Sequence, residues 1–189
     1  MANQATANKT AIPARTIATC ALSIALMVVS CFFTIPLGPV PFTLQTLVII
    51  LIALLFEPKQ TAIIIDIYLL MGIAGLPVCS GMTGGIGKIL GPTGGFLISW
   101  FISTPLASAL RGMLEKRGTK QIICDAVAAL TIIVIADVLG WLWLMVLTQS
   151  DPVAAFLMAD APFIVIDCCK AVAAVVIAAA IRKGLQAAH

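Results

Sequence analysis

The apolar residues of this chain come in long unbroken runs, as across 121–147 and 162–181, and do not alternate with polar ones. Continuous runs of that kind read as helices, whereas barrel strands would alternate. Lipid admits only helices and closed barrels. Hydrophobic residues make up 61% of the 189 and charged residues 10%, against about 25% charged in a soluble domain. The chain is therefore expected to be an all-α membrane protein. Six runs, at 16–34, 42–56, 60–74, 96–113, 121–147 and 162–181, predict six transmembrane helices in a compact bundle. Each needs about 20 residues to span the bilayer, so residues 1–189 form a single integral membrane domain with no room for a soluble one. Residues 1–14 and 184–189 are read as polar tails.

Six spans put both termini on one side. Lys9, Arg15, Lys59, Arg111, Lys116, Arg117, Lys120, Arg182 and Lys183 then share that side, and Lys88 falls on the other. The positive-inside rule makes the shared side cytoplasmic. The segments 35–41, 72–95 and 148–161 are then external. Basic residues placed this way are orientation signals, not a nucleic-acid surface. The polar start precedes no signal-type apolar stretch, so the first run is read as a retained helix.

Charges inside the runs need a reason, because each costs about 2.5–3.5 kcal/mol at a helix centre on insertion scales. Asp167 and Lys170 stand three apart in the last run, on one helical face. At about 1.5 Å per residue they lie roughly 8 and 12 Å below the outer surface, with Asp137 at roughly 15 Å. Asp66 sits nearer the cytoplasmic end of the third run. Two readings stay open. Asp167 accepts N–H groups of a ligand while Lys170 faces a ligand carboxylate, or Lys170 pairs with Asp167 or Asp137 and only holds helices together.

The external segments are unusual. Residues 35–41 carry three prolines and cannot be helical. Thr43, Gln45 and Thr46 follow at the outer start of the second run, suited to a ligand or to a neighbouring helix. The 72–95 segment holds nine glycines and two prolines, far longer than the usual connection of about 2–8 residues in a bundle. It is expected to be a lid whose backbone approaches a ligand closely, with Gly84, Gly85, Gly91 and Thr93 at the contact. A flexible connector is the alternative. Its Gly-Gly-Ile-Gly-Lys run is not a phosphate-binding loop, because Met82 and Ile89 occupy positions that need Gly and Ser or Thr. Six cysteines without a CxxC pair and one histidine, His189, do not make a metal site. Cys31 and Cys79 are the external pair open to a disulfide. No catalytic set is visible, so no enzyme and no cofactor is expected. Ala14, Ala18, Ala21 and Ala25 form a small-residue stripe on the first run, suited to internal packing or to docking another membrane protein.

The motifs Gly38-Pro-Val-Pro-Phe-Thr-Leu-Gln-Thr-Leu47, Gly75-Leu-Pro-Val78, Gly91-Pro-Thr-Gly-Gly-Phe-Leu97 and Pro162-Phe-Ile-x-x-Asp-x-x-Lys-Ala171 resemble, in order, those of the biotin-specific substrate-binding subunits (the BioY family) of energy-coupling factor (ECF) transporters. The resemblance covers about 15–183. It implies uptake of biotin across a bacterial cytoplasmic membrane. It also implies partners, a transmembrane coupling subunit and two cytoplasmic ATPases, with the Ala14–Ala25 stripe as the contact. Asp167, Lys170, Gln45 and Thr43 would hold the polar groups of biotin, and Phe42, Tyr68 and Trp143 are candidates for its apolar slot. Met82 and Lys88 stand where small residues are usual. The alternative function is a stand-alone ion-coupled or facilitative carrier of biotin or a related vitamin, with Asp137 and Asp66 carrying protons.

Overall fold

The structure is a computed structural model that describes residues 13–36 and 38–187. Most of the N-terminal tail, with Lys9, and His189 lie outside the described residues. The elements run α1 (Ala14–Ser30), β1 (Thr34–Ile35), β2 (Phe42–Thr43), α2 (Gln45–Leu55), α3 (Pro58–Ile73), α4 (Ile86–Ile89), α5 (Gly94–Lys116), α6 (Gln121–Thr148), α7 (Pro152–Ala159) and α8 (Ile164–Ala187).

Among the described residues, α5, α6 and α8 are long and apolar enough to cross a membrane, and α1 and α2 are shorter apolar helices. The centre is α2. Its residues from Val48 to Leu54 are all buried, as expected of a helix that is apolar all round. It packs against α1, α3, α5, α6 and α8. Leu22, Phe101, Leu130, Val134, Val172 and Val176 point outward, an exposed apolar belt that fits lipid and not water.

Local chemistry sets the boundaries. Glu57 and Gln60 form a reciprocal capping box at the start of α3, with Pro58 in the first turn. Asp151 caps α7 by accepting from the Val153 N–H at 3.0 Å. Gln149 closes α6 in the left-handed conformation.

Three boundaries differ from the sequence expectation. The first and second runs stop short of each other because Thr34 pairs with Thr43, and Ile35 with Phe42, in an antiparallel ribbon. Residues 42–43 are thus strand, not helix. The 148–161 segment is largely the helix α7. The last helix starts at Ile164, after a turn at 160–163, and continues to Ala187.

At one end of the bundle Asp125, almost fully buried on α6, is shared by two arginines. Arg111 of α5 donates to it at 2.8 Å and to Glu115 at 2.6 Å. Arg182 of α8 also pairs with Asp125 and donates to the Leu54 carbonyl of α2 at 3.1 Å. One carboxylate thus joins α5 to α8, and through Arg182 to the last turn of α2. In the sequence these arginines read only as orientation signals.

Candidate functional site

At the opposite end, the first turns of α8 carry the pair singled out above. The Asp167 N–H donates to the Phe163 carbonyl at 2.7 Å, fixing the start of the helix. One turn on, the Lys170 ammonium donates to the Asp167 carboxylate at 2.8 Å, and both residues are buried. The first turn of a helix favours a carboxylate such as that of Asp167. The Lys170 ammonium also lies over the Phe42 ring, 4.3 Å from its centroid, a further stabilising contact for a desolvated cation.

This pair faces a cavity built by every element around it. The β2 and α2 junction contributes Phe42, Thr43, Gln45 and Thr46. The Gly-rich segment contributes Cys79, Ser80, Lys88 and Thr93. Phe96, Leu97 and Trp100 of α5, Ile133 and Asp137 of α6, and Phe163 before α8 complete the walls. Apolar walls with a few convergent polar groups are the usual form of a small-molecule site. The Thr93 hydroxyl is buried with no hydrogen-bond partner among the described residues, which leaves a polar group available to a ligand.

Several residues expected at the ligand stand behind the wall. Tyr68 is fully buried outside the cavity lining. Its hydroxyl accepts from the Gln45 side-chain amide and donates to the Val78 carbonyl at 2.6 Å. It therefore holds Gln45 in place and ties α3 to the Gly-rich segment. Gly84 lies flush on the Leu76 backbone, where a Cβ would overlap the carbonyl. Gly85, at φ +91°, donates to the Gly72 carbonyl at 2.7 Å. The Gly91 carbonyl accepts from the Trp143 indole at 2.9 Å. Trp143 in turn packs on Gly94 and Gly95. These glycines let the segment approach its own chain. Asp66 also lies outside the lining, with one buried oxygen unpartnered among the described residues.

Sequence reasoning missed the aromatic walls Phe96, Trp100 and Phe163, since no period separates an inward ring from a lipid-facing one. Asp160, at the end of α7 next to the cavity-lining Ala159, is itself outside the lining. Burial pushes its carboxyl up to about 7, and the Asp137 and Asp167 carboxylates add to the effect. Cys31 and Cys79 are both buried free thiols.

Residues 2–187 match the model of the BioY family. The chain belongs to that family. It is 38% identical to a probable biotin transporter BioY of Pyrococcus horikoshii, over 87% of this chain and 94% of that one. It is 34% identical to the biotin transporter BioY2 of Lactococcus lactis subsp. cremoris, over 88% and 89%. The fold superposes on the crystal structure of the S-component for biotin from an ECF-type ABC transporter with a TM-score of 0.83, at 29% identity, covering 89% of this chain and 91% of that one. Family, fold and the three long apolar helices together make this a multi-pass membrane protein.

Proposed function

We propose that this chain captures biotin from outside the cell as the substrate-binding subunit of an ECF-type vitamin transporter. The observation that carries the reading is the buried Asp167–Lys170 pair on the wall of a largely apolar cavity. Biotin offers ureido N–H donors, a ureido carbonyl, an apolar thiophane ring and a carboxylate. The cavity holds acceptors, cations, hydroxyls and aromatic rings to match them. Asp167, Lys170, Gln45, Thr43 and Thr93 are the polar contacts in this reading. Phe42, Phe96, Trp100 and Phe163 form the slot for the ring.

In the same reading the chain crosses the cytoplasmic membrane six times with both termini inside. The 35–41 and 72–95 segments close over the ligand. Ala14, Ala18, Ala21 and Ala25, all exposed, dock a transmembrane coupling subunit, which works with two cytoplasmic ATPases. No covalent chemistry takes place on the ligand. The detergent-purified protein is expected to retain radiolabelled biotin, with desthiobiotin as an effective competitor and thiamine as a poor one. Absence of saturable biotin retention would end the assignment. Biotin uptake that collapses with an uncoupler and persists without ATP would replace it with the stand-alone carrier.

A further inference from the structure

A second hollow lies between α6 and α7. It is a groove of about 520 Å³, lined by Val138 and Trp141 of α6, Val153 and Phe156 of α7, and the acidic residues Asp137 and Asp160. Only Asp137 also lines the cavity described above. Val138, Val153 and Phe156 are exposed, so the groove opens on the apolar belt that faces lipid.

Its walls are held in place. The Trp141 indole donates to the Pro152 carbonyl at 2.9 Å, and its ring meets Phe156 edge-on at 6.2 Å. These contacts fasten α7 to α6 and leave the groove alongside. The apolar surface then continues down α6. Leu130, Val134 and Val138 are exposed at steps of four, on one helical face. At about 1.5 Å per residue that stripe adds roughly 12 Å along the membrane normal, the direction in which an acyl chain lies.

The closed end of the groove is acidic. Asp160 is 2% exposed, and its Oδ1 makes no hydrogen bond among the described residues. The charged groups within electrostatic reach of it are the carboxylates of Asp137 and Asp167. No lysine or arginine is among the lining residues, and Lys170 is committed to Asp167. A buried carboxylate oxygen without a partner costs free energy that a donated N–H recovers. An anionic head is repelled at this place, and a purely apolar occupant leaves Asp160 unsatisfied. A cationic N–H head on an apolar chain meets both parts of the groove.

We propose that the groove holds one phospholipid whose headgroup ends in a primary ammonium, with the ammonium donating to Asp160 and one acyl chain lying along Val138, Val134 and Leu130. The lipid phosphate, two carbons from the ammonium, points out of the groove and away from the carboxylates. This is independent of the assignment of biotin and needs only a multi-pass membrane protein.

The test reconstitutes the full chain in vesicles of phosphatidylethanolamine, phosphatidylcholine and phosphatidylglycerol in equal parts and identifies the lipid retained on release by native mass spectrometry. Phosphatidylcholine has a cation without N–H, and phosphatidylglycerol has no cation. Wild type is expected to retain one phosphatidylethanolamine per chain, about tenfold over either other lipid, the ratio typical of one charge-assisted contact. Asp160→Asn is expected to bring the three lipids within about threefold of one another. Val138→Trp, which fills the groove and leaves Asp160 in place, is expected to lose the retained lipid. Both variants are expected to melt as wild type does in pure phosphatidylcholine. Equal retention of phosphatidylethanolamine and phosphatidylcholine by wild type would overturn the proposal, whatever the variants do. A preference for phosphatidylethanolamine that survives in Asp160→Asn would also overturn it. So would a dimer that Val138→Trp dissociates, formed without any lipid preference, since the groove would then belong to a second copy of the chain.

Discussion

Asp167→Asn is expected to lower biotin affinity by at least about tenfold, and the effect has two parts. The first is the lost acceptor. An amide offers a single carbonyl where the carboxylate offered two charged oxygens, and hydrogen bonds to a charged group are worth about 1.5–3 kcal/mol. The second is the stranded partner. Lys170 is buried, and its ammonium donates to Asp167. Removing one member of a buried ion pair costs about 3–5 kcal/mol, because the other charge stays desolvated and unpaired. Part of that cost falls on the fold. The variant should therefore melt lower as well as bind more weakly. The double variant Asp167→Asn/Lys170→Met separates the two parts. It removes both charges and should regain thermal stability, while binding stays weak. Recovery of both would mean that the pair is a structural contact within α8 and takes no part in holding the ligand. Equilibrium binding and thermal unfolding on the same preparations provide both readings.

The second large effect lies at the other end of the bundle. Asp125→Ala is expected to destabilise the protein by about 3 kcal/mol. For a chain of this size that lowers the melting temperature by about 6–12 °C. Asp125 is 1% exposed and accepts from both Arg111 and Arg182. Without it Arg111 keeps Glu115 and Arg182 keeps the Leu54 carbonyl, so each arginine retains one partner and the cost stays at the lower end of the range. Biotin affinity of the surviving folded fraction should change little, because none of these residues lines the cavity. A melting temperature within about 2 °C of wild type would show that the cluster contributes nothing net.

The parts of this molecule that were legible in the sequence are those that lipid makes costly to hide. Continuous apolar runs announce helices, and Asp167 and Lys170 stand out because charge in such a run needs compensation. Thr43, Gln45 and Thr93 fall at the cavity wall, as polar residues at the ends of apolar runs suggested. Elements that depend on tertiary pairing were not legible. The short ribbon joins Thr34 to Thr43 across the proline-rich turn, and residues 42–43 carry no local signal separating them from the helix that follows. The helix α7 lies in a segment whose flanking polar residues read as loop. Aromatic residues were the hardest. Tyr68 and Trp143 have the same local sequence character as Phe96 and Trp100, yet the first two brace the wall from behind and the latter two form it. The glycines of 72–95 announced a close approach, but the backbone they approach is their own, as Gly84 on Leu76 shows.

In the reading proposed above, the cavity beside the Asp167–Lys170 pair holds biotin. A structure of the detergent-purified protein with biotin bound tests it most directly. Density for the bicyclic ring is expected among Phe42, Phe96 and Trp100, with a ureido nitrogen about 3 Å from the Asp167 carboxylate. Biotin bound elsewhere on the molecule, with Asp167 and Lys170 touching only each other, would contradict it.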